Sequence, residues 1–199
     1  MIASAPLTAL QADALRELCN ICGGQAADAL SALIGDARVN LSLPEAERLT
    51  VEVVTARLGG AEAPLVAARV ELAGPLQGEL WLTLPESDAA ELSGLLADGE
   101  GPRQVAPWAL YETANIVASA CLNALYALTR LTVVPGVPEV IEASAGATVA
   151  RIARGSRELF VLSTELLVRD APVRGRILFL LREASVLPLL SALGLPGEA

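Results

Sequence analysis

Histidine is missing from this 199-residue chain altogether. That absence removes Ser–His–Asp and Cys–His nucleophilic catalysis, and with them the commonest zinc ligand. Lysine and arginine together number 14 against 23 acidic residues, a formal net charge of −9, and no cluster of basic residues stands out. A nucleic-acid partner, which needs basic patches to displace counterions, is excluded on that ground. Cysteine is scarce as well: Cys19, Cys22 and Cys121. A structural zinc takes about four ligands, and one further Cys with no His cannot complete the set. A redox Cys-x-x-Cys normally sits at a helix start after a strand, whereas Cys19 and Cys22 fall in mid-helix. The three are expected to be small core residues near a helix–helix contact.

Long uninterrupted apolar runs are also lacking. Hydrophobic residues make up 53 % of the chain and the mean hydropathy is +0.52. Even so, no stretch approaches the roughly 18–20 uncharged apolar residues of a spanning helix. The best candidate, Trp108–Leu131, contains Glu112, Asn115, Asn123 and Arg130. The amino terminus, Met-Ile-Ala-Ser-Ala-Pro, has neither the basic start nor the apolar region of a signal peptide. A soluble cytoplasmic protein without membrane insertion is the expectation.

What the chain does contain is a long helical pattern over Leu10–Ile34. Thr8 and Gln11 have capping-box spacing and Gly35 is the expected stop. Leu15, Leu18, Cys22, Ala26, Leu30 and Leu33 form an apolar stripe. Asp13, Glu17, Asn20, Gly24, Asp28 and Ser31 form the opposite, polar stripe, so Glu17 and Asn20 face solvent one turn apart. Asn is a poor residue for a helix interior, because its amide competes for backbone hydrogen bonds. Its presence there asks for another reason.

The arrangement recurs 95 residues later as Glu112-x-x-Asn115, in a helix Pro107–Arg130. Leu110, Val117, Cys121, Leu125 and Leu128 repeat the apolar stripe, and Trp108, Glu112, Asn115, Ser119, Asn123 and Tyr126 the polar one. Gly78-Glu-Leu-Trp-Leu and Gly175-Arg-Ile-Leu-Phe match at an offset of 97.

In the first half the pattern gives strands at 37–43, 65–72 and 76–84, with residues 49–54 extended, and a helix through Leu96 capped by Ser87 or Asp88. In the second half it gives strands at 131–134, 158–168 and 173–181, a connection through Pro135, Pro138 and 143–146, a helical turn at 148–154 and a helix at 183–193. The expected fold is α+β by tandem duplication: two helix-plus-three-strand units related by a pseudo-twofold, a six-stranded mainly antiparallel sheet and two long helices packed together. One domain over 1–199 is expected, with repeat 1 at about 8–97, a linker at 98–103 and repeat 2 at about 104–195.

These motifs resemble the CheC family of chemotaxis phosphatases, related to CheX and to the amino-terminal part of FliY. The family pattern is Asp or Ser, three residues, Glu, two residues, Asn, then 22 residues and Pro. Here Asp13-x3-Glu17-x2-Asn20 is followed by Pro44 after 23 residues, and Glu112-x2-Asn115 by Pro138 after 22, with Trp108 in the first position. Cys19 and Cys22 stand where the family usually has glycine. The resemblance implies hydrolysis of the aspartyl-phosphate of a phosphorylated CheY-like response regulator. It also suggests the receptor deamidase CheD as a further partner.

On that reading Asn20 and Asn115 orient the attacking water, while Glu17 and Glu112 pair with a lysine of the regulator; Asp13, Pro44 and Pro138 are supporting positions. No cofactor of the chain's own is implied, since Mg²⁺ comes with the regulator. A carboxamide can accept one hydrogen and donate another, and positioning is most of the catalysis in such hydrolyses. Gly24 and Ser119, one turn past each Asn, are small enough to admit a partner's loop. Trp108 either anchors a partner or packs under the adjoining loop. Three alternatives stand beside this one. The two Asn residues could hydrogen-bond across the pseudo-twofold. The chain could be a non-catalytic adaptor that binds the phosphorylated regulator or CheD. It could also be a flagellar-switch component like FliM, against which the retained Glu/Asn pairs and the chain's end at Ala199 are expected to speak.

Overall fold

The computed structural model describes residues 7–35, 38–97, 104–155, 157–169 and 171–195. The expected linker at 98–103 lies outside them. Helix α1 runs Ala9–Leu33. Its capping box forms as read: the Thr8 hydroxyl accepts from the Gln11 amide at 3.2 Å and the Gln11 carbonyl oxygen accepts from the Thr8 amide at 2.9 Å. Gly35 ends the helix at φ +70°, where a side chain would be strained.

Strands β1 (Val39–Leu41) and β2 (Glu45–Thr50) follow, then α2 (Val51–Arg57), the hairpin β3 (Pro64–Ala73) and β4 (Gly78–Pro85), and α3 (Glu86–Leu96). The second repeat has the same order: α4 (Pro107–Thr129), β5 (Val134–Pro135), β6 (Glu139–Ser144), α5 (Ala145–Ala153), β7 (Glu158–Val168), β8 (Val173–Leu181) and α6 (Glu183–Ala192).

The sheet has eight strands where six were expected: six lie in the order β1-β7-β8-β4-β3-β5, and two more pair beside them, β2 on β7 and β6 on β3. Every pairing is antiparallel. The repeats exchange strands: β1 and β2 pair with β7 of the other half, and β5 and β6 pair with β3. Helices cover both faces. Leu80, Leu82 and Leu84 of β4 point into a core shared with α1, α3, α4 and α6. Trp81 between them points into a second core with Val54 of α2 and Val149 and Ile152 of α5. Strands apolar at every position are the sequence mark of a sheet buried on both sides.

The halves meet at β4 and β8, where two glycines do the same job. A Cβ on Gly78 would stand 2.2 Å from the Leu180 carbonyl oxygen, and one on Gly175 would stand 2.9 Å from that of Thr83. Leu180 and Thr83 are themselves equivalent positions, 97 residues apart. Each repeat therefore leaves room for the other's backbone at the same place.

Five local expectations are corrected. Residues 51–57 are helical, not extended, although Val51, Val53 and Val54 favour strand: Thr50 caps the turn by accepting from the Val53 amide, and burial of Val54 decides it. The segment read as a connection after Pro138 is the strand β6, and the 131–134 strand shrinks to Val134–Pro135. Helix α5 starts at Ala145 rather than 148, because Ser144 accepts from the Ala147 amide. Helix α3 has Pro85 as its N-cap and no side-chain cap bond; Asp88 instead accepts from the Arg174 amide at 2.8 Å.

Candidate functional site

Burial of one face of α1 displays the other. Leu15, Leu18, Cys22, Ala26 and Leu30 are sealed against α4 and the sheet, which turns Asp13, Glu17, Asn20, Gly24 and Asp28 outward. Helix α4 does the same. Leu110, Val117, Cys121 and Leu125 are buried, while Trp108, Glu112, Asn115, Ser119, Asn123 and Tyr126 are exposed. Leu128 departs from the expected apolar stripe and is 43 % exposed.

Glu17, Asn20, Glu112 and Asn115 all face solvent, and among the described residues the side chain of none of them is engaged in a hydrogen bond or ion pair. The cross-axis Asn–Asn contact is therefore not made. Each Glu stands one turn before its Asn, about 5–6 Å away at Cβ. Gly24 has open space around it, so the surface past Asn20 is unobstructed.

Asp13 is tied by Arg16, one turn on, in a solvent-exposed ion pair. Reasoning from the sequence did not single out Arg16, nor Tyr111, its equivalent 95 residues later; shifting the whole polar face by 95, rather than the motif alone, reveals both. Pro44 and Pro138 are buried and stand immediately before β2 and β6. They fix the backbone entering two equivalent strands.

Beneath the Glu17/Asn20 face the three cysteines line an apolar cavity of about 20 Å³ with Leu18, Leu125 and Phe179. Cys121 Sγ donates to the Cys22 carbonyl at 3.5 Å. Burial pushes the Cys19 and Cys22 thiols up to about 12, and that of Cys121 well above the ordinary value. These are core thiols. Among the described residues no group of three His, Cys, Asp or Glu could hold a metal ion, and no helix is long and apolar enough to cross a membrane.

A twofold pair of helices, each showing an exposed Glu/Asn couple, lies above an antiparallel sheet, and in sequence and fold the chain is similar to CheC-like proteins. The CheC-like family model matches residues 10–45, which span Glu17, Asn20 and Pro44. The protein named CheY-P phosphatase CheC of Bacillus subtilis (strain 168) is 29 % identical over 170 residues, covering 82 % of this chain and 79 % of that one. Thermotoga maritima FliY shares the fold at a TM-score of 0.76 and 18 % identity, over 96 % of this chain and 98 % of that one. The CheX–CheY–BeF₃–Mg²⁺ complex from Borrelia burgdorferi matches at a TM-score of 0.59 and 14 % identity, over 82 % and 97 %.

Proposed function

We propose that this chain is a phosphatase of the CheC kind, hydrolysing the aspartyl-phosphate of a CheY-type response regulator. The observation that carries the reading is that Asn20 and Asn115 are both exposed, free of partners among the described residues, and presented by twofold-related helices. The name of the B. subtilis relative, and the regulator in the complex of a chain that shares this fold, point the same way.

In this mechanism the chain brings no nucleophile, and the missing histidine is no handicap. A response regulator's acyl phosphate lies beside its own Mg²⁺, which neutralises phosphoryl charge when bound. The helix supplies one further group. The Asn carboxamide, inserted in trans, accepts from a water and turns its lone pair toward phosphorus, in line with the bond that breaks. An amide does this without titrating. Glu17 or Glu112, one turn earlier, pairs with a cationic side chain of the regulator and fixes the register.

The test is the decay of phosphorylated CheY in the presence of the wild type, Asn20→Ala, Asn115→Ala and the double variant. Each single variant should retain part of the acceleration, and the double variant should lose it by about 100-fold or more. A double variant as active as the wild type would overturn the reading. Spontaneous decay rates with the wild type, together with measurable binding, would favour the adaptor instead.

A further inference from the structure

The two faces carry the same Glu/Asn couple but differ one turn before it. On α1 the residue four before Glu17 is Asp13 and the residue four before Asn20 is Arg16, and the two form an ion pair. On α4 the same positions, 95 residues later, hold Trp108 and Tyr111. Residues four apart on a helix share a face, so both pairs flank their catalytic couple alike.

Trp108 is 56 % exposed and Tyr111 40 % exposed. More than half of the Trp108 surface is therefore open to solvent. Together they form an aromatic ledge beside Glu112 and Asn115, and the fold itself derives no burial from the exposed part.

Resting on the phosphatase reading above, we infer that the two sites hold the response regulator by different chemistry. The α4 site is anchored by Trp108 and Tyr111 against an apolar element of the regulator beside its phosphorylation pocket. The α1 site is held by the charges of Asp13 and Arg16. The occupant is the regulator because the ledge is continuous with the Glu112/Asn115 face that the regulator must cover. Aromatic side chains combine large contact area with few rotors, which makes Trp and Tyr the usual anchors of such contacts. Exposed charges are screened by salt, whereas apolar contact is not. The duplication thus gives one protein two docking modes around one chemistry. Trp108 and Tyr111 are positioning residues: they act on binding, not on the water.

The test separates binding from turnover. BeF₃⁻-activated CheY is titrated calorimetrically into the wild type and into Trp108→Ala/Tyr111→Ala. One of two classes of site should weaken about tenfold or more. In the Asn20→Ala protein, whose turnover comes from α4, Trp108→Ala should raise KM about tenfold while kcat shifts less than twofold. Between about 50 and about 500 mM NaCl, KM should rise several-fold for Asn115→Ala, which works through α1, and much less for Asn20→Ala.

Unchanged regulator affinity in the aromatic variant, a loss confined to kcat, or equal salt dependence of the two single-site proteins would each overturn the inference. Weakened binding in the aromatic variant of a protein that hydrolyses nothing would uphold the docking mode and sink the phosphatase reading alone.

Discussion

Trp81 on β4 lies directly opposite Leu178 on β8, and the two are the same position of the two repeats, 97 residues apart. A residue paired with its own counterpart marks the pseudo-twofold axis, so the axis passes through the second core, the one that Trp81 enters. Trp81 is 1 % exposed, and its indole Nε1 donates to Glu79 Oε2 at 2.9 Å. Trp81→Ala empties the centre of that core and leaves the Glu79 oxygen without its donor. It should cost about 3–5 kcal/mol in urea unfolding, against about 1–3 kcal/mol for Trp81→Phe, which keeps much of the volume but leaves that one carboxylate oxygen without its donor. Equal losses for the two would show that the hydrogen bond, not the packing, matters at the axis.

Gly78 tests the seam between the repeats. The atom that a new Cβ would strike, at 2.2 Å, is a backbone carbonyl oxygen, so no side-chain rotation relieves the clash and β4 must move away from β8. Gly78→Ala should destabilise by about 1–3 kcal/mol or more. Gly94 in α3 is the control, since nothing lies within 4 Å of a Cβ there. Gly94→Ala should stabilise by about 0.5–1 kcal/mol, the helix preference alone. Chemical denaturation of both variants decides it, and two shifts of the same sign would contradict the close-approach argument.

Glu79 sets a pH dependence. Burial on its own would raise this carboxyl, but hydrogen bonds from Arg69, at 2.7 Å, and Trp81, with the charges of Arg69 and Arg154 behind them, hold it below the ordinary glutamate value. A carboxyl whose folded value lies below its unfolded one stabilises the fold above the unfolded value, near 4.3. That stabilisation is lost as pH falls through the folded value. The wild type should therefore exceed Glu79→Gln in stability at pH 7 and keep that margin to about pH 5, losing it progressively below about pH 4. Thermal unfolding of both proteins from pH 7 to pH 3 measures the margin, and a margin that grows on acidification would reverse the assignment.

The duplication was legible because it preserved chemistry. Glu17/Asn20 and Glu112/Asn115 stand in register, the apolar stripes of α1 and α4 repeat, and the apolar run Ile177–Leu181 of β8 announced a sheet covered on both faces. What stayed hidden were the elements whose form depends on the other repeat. Strand β2, Glu-Ala-Glu-Arg-Leu-Thr, has the charged side chains of a sheet edge and little β propensity; it is a strand because β7 supplies its hydrogen bonds. The Val-rich α2 is helical because Thr50 caps it and Val54 is buried. The signal was present in a shift of 94, which aligns Pro44-Glu45 with Pro138-Glu139 and the cap Thr50 with the cap Ser144. The outward position of the four site residues followed from helix period alone. The aromatic ledge did not, because Tyr111 acquires meaning only beside Trp108 on an exposed face.

The last prediction concerns the thiols next to the site. Cys19 precedes Asn20 in sequence, and Cys19-x-x-Cys22 has the spacing of a redox pair, so oxidation could be thought to gate the helix. The helix period points Cys19 inward as Asn20 points out, and burial pushes Cys19 and Cys22 up to about 12. Only the thiolate attacks; at pH 8 about one thiol in ten thousand would be ionised at that value, four units below it. A chromogenic aromatic disulfide should thus label the native protein at pH 8 orders of magnitude more slowly than it labels free cysteine. In guanidinium all three thiols should react at once, since the chain has three cysteines and each is free. Turnover of phosphorylated regulator after long exposure to a thiol-alkylating reagent should equal that of the untreated protein. Rapid native labelling of one thiol, with loss of activity at the same rate, would mean that α1 opens far more readily than its packing allows.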